Sequence, residues 1–326
     1  MSQRFALLVL SLAVASLLAL TTGEVALTPA ELMRALTAPD GMQGPAQTIL
    51  WSLRLPRLAM AILVGAALAV AGAVAQAIMR NPLAEPGILG INAGAALMAV
   101  LVIVQWQNVP ASHLPWLSFL GAVAMSAAIW LLAWQDGTST LRFILVGVGL
   151  SALAGSAATF VATFGDMVLM QRAMLWMAGS LQDSRWIKVE ILALWLIVPL
   201  ALIWLNAREL DLIGFDESVA RGLGQRVDLT RGMMVLAIAA ISGAAVAAAG
   251  LIGFVGLVAP HMARRLVGHR HKVLLPGAAL IGALMVVAAD IVARSVIAPA
   301  QLPVGVTTAA IGAPFFGWLL WKKRNE

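Results

Sequence analysis

Long uncharged apolar intervals separated by short clusters of charge run through the chain. A charge at mid-bilayer costs about 2.5 to 3.5 kcal/mol on insertion scales, so intervals free of Asp, Glu, Lys and Arg mark candidate spans. They are 5–23, 58–79, 86–135, 143–165, 191–207, 232–263, 273–289 and 295–321. One crossing takes about 20 residues. The interval 86–135 therefore holds two helices, broken near Asn108, Pro110, His113 and Pro115. The interval 232–263 is either one long helix or two short ones with a turn near Gly250–Gly256.

The distribution of basic residues chooses between these. A single crossing would put Arg208, Arg221, Arg226 and Arg231 on the opposite side from Arg264, Arg265, Arg270 and Lys272. Two short helices put both groups on one side, giving about ten transmembrane helices with both termini on that side. Fourteen of the twenty-one Lys and Arg then share it, Arg4, Arg80, Arg142, Lys322, Lys323 and Arg324 among them. By the positive-inside rule that side is cytoplasmic. The predicted class is an all-α polytopic membrane protein, with residues 1–326 as a single transmembrane domain. Arg4 followed by an apolar run also fits a secretory signal peptide, but only Thr21-Thr22-Gly23 follows where a small-residue cleavage site is needed, so the expectation is an uncleaved first span.

Composition agrees: 61% of the 326 residues are hydrophobic and 11% charged, against about 25% charged in an ordinary soluble domain. The net charge of +6 is concentrated at one membrane face, and nucleic acid is not an expected partner. With no Cys there is no disulfide framework and no thiolate metal site. Small residues recur in Gly65-Ala66-Ala67-Leu68-Ala69-Val70-Ala71-Gly72 and in Gly243-Ala244-Ala245-Val246-Ala247-Ala248-Ala249-Gly250. They let helix backbones approach closely where there is no hydrophobic drive between helices.

The chain carries no H-E-x-x-H, G-x-S-x-G or G-x-x-x-x-G-K-[ST] motif. His269 and His271 lie in a basic loop without acidic or Cys co-ligands nearby in sequence, so no metal site is expected. Few ionisable groups are placed for an ion relay: Glu85, Asp166 and Asp290. Asp290 stands i, i+4 to Arg294, a local ion pair. An ion-coupled secondary transporter is thus a weaker reading, and an intramembrane enzyme lacks a nucleophile and a base.

Two segments ask for partners. Residues 206–231 carry nine charges of both signs, too many and too mixed for a plain turn between antiparallel spans. Their pattern reads as short helices ended by glycine at the cytoplasmic surface, a docking knob. On the other face Arg54-Leu55-Pro56-Arg57 precedes a span, against the positive-inside bias. Pro56 is expected to block regular helix there, and the arginines suit either lipid phosphates or carboxylates of a soluble partner.

Several stretches together resemble one family, the FecCD-type permeases of bacterial ABC importers for ferric siderophores, haem and cobalamin. They are Arg54-Leu-Pro-Arg57, Gly65–Gly72, Arg80-Asn-Pro-Leu-Ala-Glu-Pro-Gly-Ile-Leu-Gly-Ile-Asn-Ala-Gly94, Gly253-Phe-Val-Gly-Leu-Val-Ala-Pro-His-Met-Ala-Arg264, Ala289-Asp-Ile-Val-Ala-Arg294, Leu302-Pro-Val-Gly305 and Ile311-Gly-Ala-Pro314. The resemblance implies the type II ABC importer permease fold in a bacterial inner membrane. It implies a homodimer or a dimer with a similar permease, two ATP-binding subunits carrying Mg-ATP, and a periplasmic substrate-binding protein. No cofactor is implied on this chain. By the same resemblance Arg54, Arg57 and Arg294 receive acidic residues of the binding protein. The ATPase coupling residues are Gly214, Phe215, Asp216, Glu217, Ala220, Arg221, Leu223 and Gly224, although Ile213-Gly214-Phe215-Asp216-Glu217 replaces the usual Leu-Gly-Glu-x-x-Ala pattern. Asn81, Pro82 and Leu83 with Thr138, Ser139 and Thr140 match a cytoplasmic gate. A ferric siderophore or other iron chelate is the favoured substrate, with haem and cobalamin as alternatives.

Overall fold

The computed structural model describes residues 2–23, 25, 27–37, 44–106, 108–134, 140–215 and 217–324. Every described element is helical. In order they are α1 (Ser2–Thr21), α2 (Pro29–Thr37), α3 (Pro45–Thr48), a π-helical turn (Ile49–Arg54), α4 (Leu55–Ile78), a 3-10 turn (Pro86–Leu89), α5 (Ile91–Val104), a second 3-10 turn (Ala111–His113) and α6 (Leu114–Ala133). Then follow α7 (Thr140–Thr163), α8 (Met167–Met177), α9 (Trp186–Leu205), α10 (Ala207–Ile213), α11 (Glu217–Gly222), α12 (Val227–Ala249), α13 (Val255–Val267), α14 (His271–Ser295) and α15 (Val304–Arg324).

Seven described helical stretches are long and apolar enough to cross a bilayer, and Ile91–Val104 and Val304–Gly317 are shorter apolar helices. Each interval assigned to a span holds a helix. The interval 86–135 breaks between α5 and α6, and the interval 232–263 divides into α12 and α13. In the second case Gly250 at φ 73° and Phe254 at φ 67° turn the backbone out of the helix. Gly250 can take this conformation at no steric cost. With only 13 residues, α13 is a half-length helix.

Pro56 does not stop the helix as expected from its missing N–H. The helical path is continuous from Pro45 to Ile78, because the turn ahead of Pro56 widens to π geometry, with the Leu55 N–H donating to the carbonyl of Leu50. A wider turn relieves the clash of a proline ring with the preceding turn.

The centre of the bundle is α4, which packs against α9, α12, α13 and α14. Its small residues determine how closely. A methyl group built on Gly65 would overlap the carbonyl of Gly282 in α14, and one on Gly72 would overlap Gly256 at the start of α13. Backbone-to-backbone approach of this kind maximises dispersion where lipid removes the hydrophobic drive. The peripheral helices α1, α7 and α9 keep large apolar side chains such as Leu10, Leu153 and Val198 on the surface, as an apolar solvent or a packed partner permits.

Side-chain bonds between remote elements show which loops share an end. Arg4 Nη1 donates to Leu266 O (2.7 Å), and His271 Nδ1 lies 2.6 Å from Asp211 Oδ1. The start of α1, the end of α13, the start of α14 and the α10–α11 segment thus meet at one end. The two basic loops whose separation hinged on 232–263 lie together. At the opposite end, Arg54 and Arg294 reach the last turn of α1.

Candidate functional site

At the end away from α10 and α11, the three arginines assigned to docking come together from the π turn, the first turn of α4 and the last turn of α14. Asp290 holds two of them. Its Oδ1 accepts from Arg57 Nε (2.9 Å) and Nη2 (2.8 Å), and its Oδ2 pairs with Arg294 Nε (3.1 Å). Arg57 Nη1 donates to Gln301 Oε1 (2.8 Å), which also accepts from Gln182 Nε2 (3.3 Å). Arg54 donates to the carbonyls of Leu20 and Val25, and Arg294 to those of Thr22 (3.3 Å) and Ala19 (3.2 Å).

The last carbonyls of a helix have no intrahelical donor, and the helix dipole makes that end attractive to cations. Arg54 and Arg294 therefore cap α1. The expected i, i+4 pair of Asp290 and Arg294 forms, and Arg57 joins it from 233 residues away in sequence. Arg54 and Arg294 are 7% and 8% exposed, and the Arg57 side chain 12%. The cluster is an internal network with Arg57 at its accessible edge.

At the other end, α10 is fixed by buried Ala207, Leu210 and Ile213, and by Asp211, whose Oδ1 accepts from both His271 N (2.9 Å) and Nδ1 (2.6 Å). Gln225 Nε2 donates to Glu209 O (2.9 Å), and Arg221 pairs with Asp228 (3.0 Å). These bonds hold α11 against the bundle while leaving Phe215, Val219 and Leu223 at 60%, 48% and 65% exposed. Leu223 N donates to Val219 O (3.0 Å), so these two lie one turn apart at the end of α11, and Phe215 precedes the helix. Of the residues expected to couple to an ATPase, Ala220 is buried and Gly214 and Gly224 terminate α10 and α11. Glu217 begins α11, and Asp216 lies outside the described residues. Val219, which the sequence reading does not single out, is exposed on α11 one turn before Leu223.

The gate stretch leaves α4 through Arg80, held at φ 48°. Asn81 Oδ1 then accepts from Leu83 N (2.9 Å), and Asn81 O from Ala84 N (3.1 Å), a compact turn built on the Asn side chain. Thr138 and Ser139 lie outside the described residues, and Thr140 begins α7.

Asn81 and Pro82 line a cavity of about 840 Å³ that also borders on Gly214, Phe215 and Asp211. Its basic lining is Arg80, Arg264, Arg265 and Arg270, with His261, His269 and His271. Deep in the wall, Arg264 donates to Gln76 Oε1, and Gln76 Nε2 turns to the carbonyls of Gly256 (3.4 Å) and Leu257 (3.3 Å). Among the described residues no group of three or more His, Cys, Asp or Glu is placed to hold a metal ion.

Comparison with known proteins gives this arrangement a context. Residues 11–322 match the model of the FecCD transport family. The achromobactin transport system permease protein of Dickeya dadantii (strain 3937) is 41% identical over 322 residues, covering 98% of this chain and 90% of that protein. The vitamin B12 import system permease protein of Serratia proteamaculans (strain 568) is 38% identical over 324 residues, covering 98% and 92%. Among solved structures, one described as a metal-chelate type ABC transporter in an inward-facing conformation superposes with a TM-score of 0.88 at 31% identity, covering 98% of this chain and 99% of that one.

Proposed function

The chain belongs to the FecCD transport family, and from that premise we propose that it is the permease subunit of an ATP-driven importer carrying a ferric siderophore or a similar iron chelate. The observation that carries this reading is end-to-end similarity to an achromobactin permease together with the fold of a metal-chelate type ABC transporter. Cobalamin or haem is the second reading, favoured by the B12 permease that matches over the same 98% of the chain.

Under this proposal the protein sits in the bacterial inner membrane and pairs with a second permease chain, itself or a close relative. Two ATP-binding subunits hydrolyse Mg-ATP, and a periplasmic binding protein delivers the chelate. This chain holds no cofactor. A bulky chelate that has to be released again suits a path of weak contacts better than a tight polar site. The outward side of α7 supports such a wall: exposed Gly149, Gly155, Ser156 and Thr159 are interleaved with exposed Leu145, Val148, Leu153 and Phe160, an uncharged and mainly apolar surface. Asn81, Pro82, Leu83, Thr138, Ser139 and Thr140 form the gate at the cytoplasmic end.

The α10–α11 segment docks the ATPase, with Phe215, Val219 and Leu223 as the apolar contact and Gly214, Asp216, Glu217, Ala220, Arg221 and Gly224 shaping it. At the other end the binding protein meets the face organised by the arginine cluster. Arg57 contributes its accessible edge there, and Arg54 and Arg294 act by fixing the end of α1.

The test is reconstitution with the ATPase subunit and the binding protein. Uptake of a ferric siderophore is expected to require ATP hydrolysis and to be lost in Phe215→Asp with Val219→Asp, together with ATPase co-purification. Uptake that persists without the ATPase would leave a secondary transporter as the better description.

A further inference from the structure

We propose that the arginine-lined cavity beside the coupling segment receives an acidic side chain of the ATPase subunit, a second contact distinct from the apolar row of Phe215, Val219 and Leu223. The proposal rests on the reading above that an ATPase docks at this end.

Among the described residues the cavity wall holds four arginines and one carboxylate, that of Asp211. That carboxylate is already committed, since its Oδ1 accepts both the backbone N–H and Nδ1 of His271. Arg265 and Arg270 are exposed, and neither side chain has an ion-pair partner among the described residues. Deeper in, His271 is 7% exposed and its Nε2 is buried without a hydrogen-bond partner. With Nδ1–H given to Asp211, Nε2 of the neutral ring is a lone-pair acceptor closed off from the cavity, so the arginines alone are placed to receive an anion.

The chemistry points to a carboxylate. An arginine fork binds one through two parallel bonds, which a lysine cannot do, and among the described residues the lining contains four arginines and no lysine. Arginine and aromatic residues are also enriched, and lysine depleted, at protein–protein interfaces. Phe215, which forms part of this wall at 60% exposure, supplies the aromatic. Because Phe215 belongs both to the wall and to the exposed apolar residues of the segment, a partner seated on Phe215 would meet the opening. The wall formed by Gly214 and Phe215 belongs to a short connecting segment rather than to a span, which favours a protein over a lipid as the occupant.

The experiment measures association of the ATPase subunit with the full-length permease in phosphatidylcholine nanodiscs. Arg265→Glu with Arg270→Glu is compared with Phe215→Asp and with the unmodified chain. The double reversal is expected to weaken association about tenfold or more at low salt, with the contrast shrinking at about 0.5 M salt, where the Debye length is only a few ångströms. Changing one acidic residue of the ATPase to Lys should restore binding to the double variant. If the double reversal leaves affinity unchanged while Phe215→Asp abolishes it, the cavity contact is wrong and the coupling segment stands. If Phe215→Asp has no effect, the docking reading itself fails. Native mass spectrometry with phosphatidylglycerol supplies the last arm: loss of bound lipid in the double variant at unchanged ATPase affinity would make this a headgroup site and overturn the proposal.

Discussion

Replacing Asp290 by asparagine separates a structural from a purely docking role for the outer arginines. The Asp290 carboxylate is 4% exposed and lies 2.8 Å from Arg57 and 3.1 Å from Arg294. At an effective dielectric of about 20, a pair of unit charges about 3 Å apart attracts by about 5 kcal/mol. Two such pairs offset the cost of desolvating three ions, several kcal/mol each, so the intact network adds little net stability. Breaking it is another matter. A neutral amide in place of the carboxylate would leave buried Arg294 and partly buried Arg57 without a counter-charge, a loss of up to about 3 to 5 kcal/mol by comparison with other broken buried pairs.

The assay is thermal unfolding in detergent, followed by intrinsic fluorescence of the 11 tryptophans. Asp290→Asn should lower the midpoint clearly. Arg57→Gln in the same background should cost less than it does alone, because it removes one of the uncompensated charges, with a coupling of about 0.5 to 3 kcal/mol. If Asp290→Asn and Arg57→Gln each unfold like the unmodified protein, the network carries no stability and the arginines are free to serve a partner alone.

Gly65→Val should reduce the yield of monodisperse protein on size-exclusion chromatography, since its side chain would overlap the Gly282 backbone, and overpacking typically costs about 1 to 3 kcal/mol. Normal yield would mean that α4 and α14 can separate at little cost. Reporter fusions after Asn206 and after His271 should both report cytoplasm; opposite locations would contradict the shared end implied by the Asp211–His271 pair. At the start of α2, Thr28 donates its backbone N–H and its hydroxyl to Glu31 Oε2, each at 2.8 Å, and the backbone bond first, then the hydroxyl, holds the Glu31 carboxyl below the usual range. A depressed carboxyl stabilises the folded form above its unfolded pKa and loses that contribution as pH falls through the folded value. Hydrogen-exchange protection in the first turn of α2, taken relative to intrinsic rates, should therefore fall on acidification; Thr28→Val, which removes only the hydroxyl bond, should weaken this pH dependence and Glu31→Gln should abolish it.

Much of this architecture can be read from charge alone. Lipid excludes charges and unpaired backbone groups, so each uncharged interval is constrained to be helical, and the two clusters around Arg208 and Arg264 require an even number of crossings between them. Gly65 and Gly72 announce a close helix contact by residue type, while Phe215 and Leu223 are marked by the family resemblance. Pro56 misled because a proline removes one hydrogen bond locally but does not dictate how the preceding turn adjusts; a π turn absorbed it. The arginines show the same division. Their sequence places Arg54, Arg57 and Arg294 at one end of the bundle, since a span separates that end from the basic loops. Whether they face outward or inward depended on acceptors far away in the chain: the Asp290 carboxylate on α14 and the orphan carbonyls at the end of α1. The basic cavity beside the coupling segment has the same origin, since Arg80, Asp211, Arg264 and His271 come from four separate segments. Helix formation and membrane insertion answer to composition within about twenty residues. The partner of a buried charge is chosen by packing, and only the assembled bundle brings the candidates within hydrogen-bonding distance.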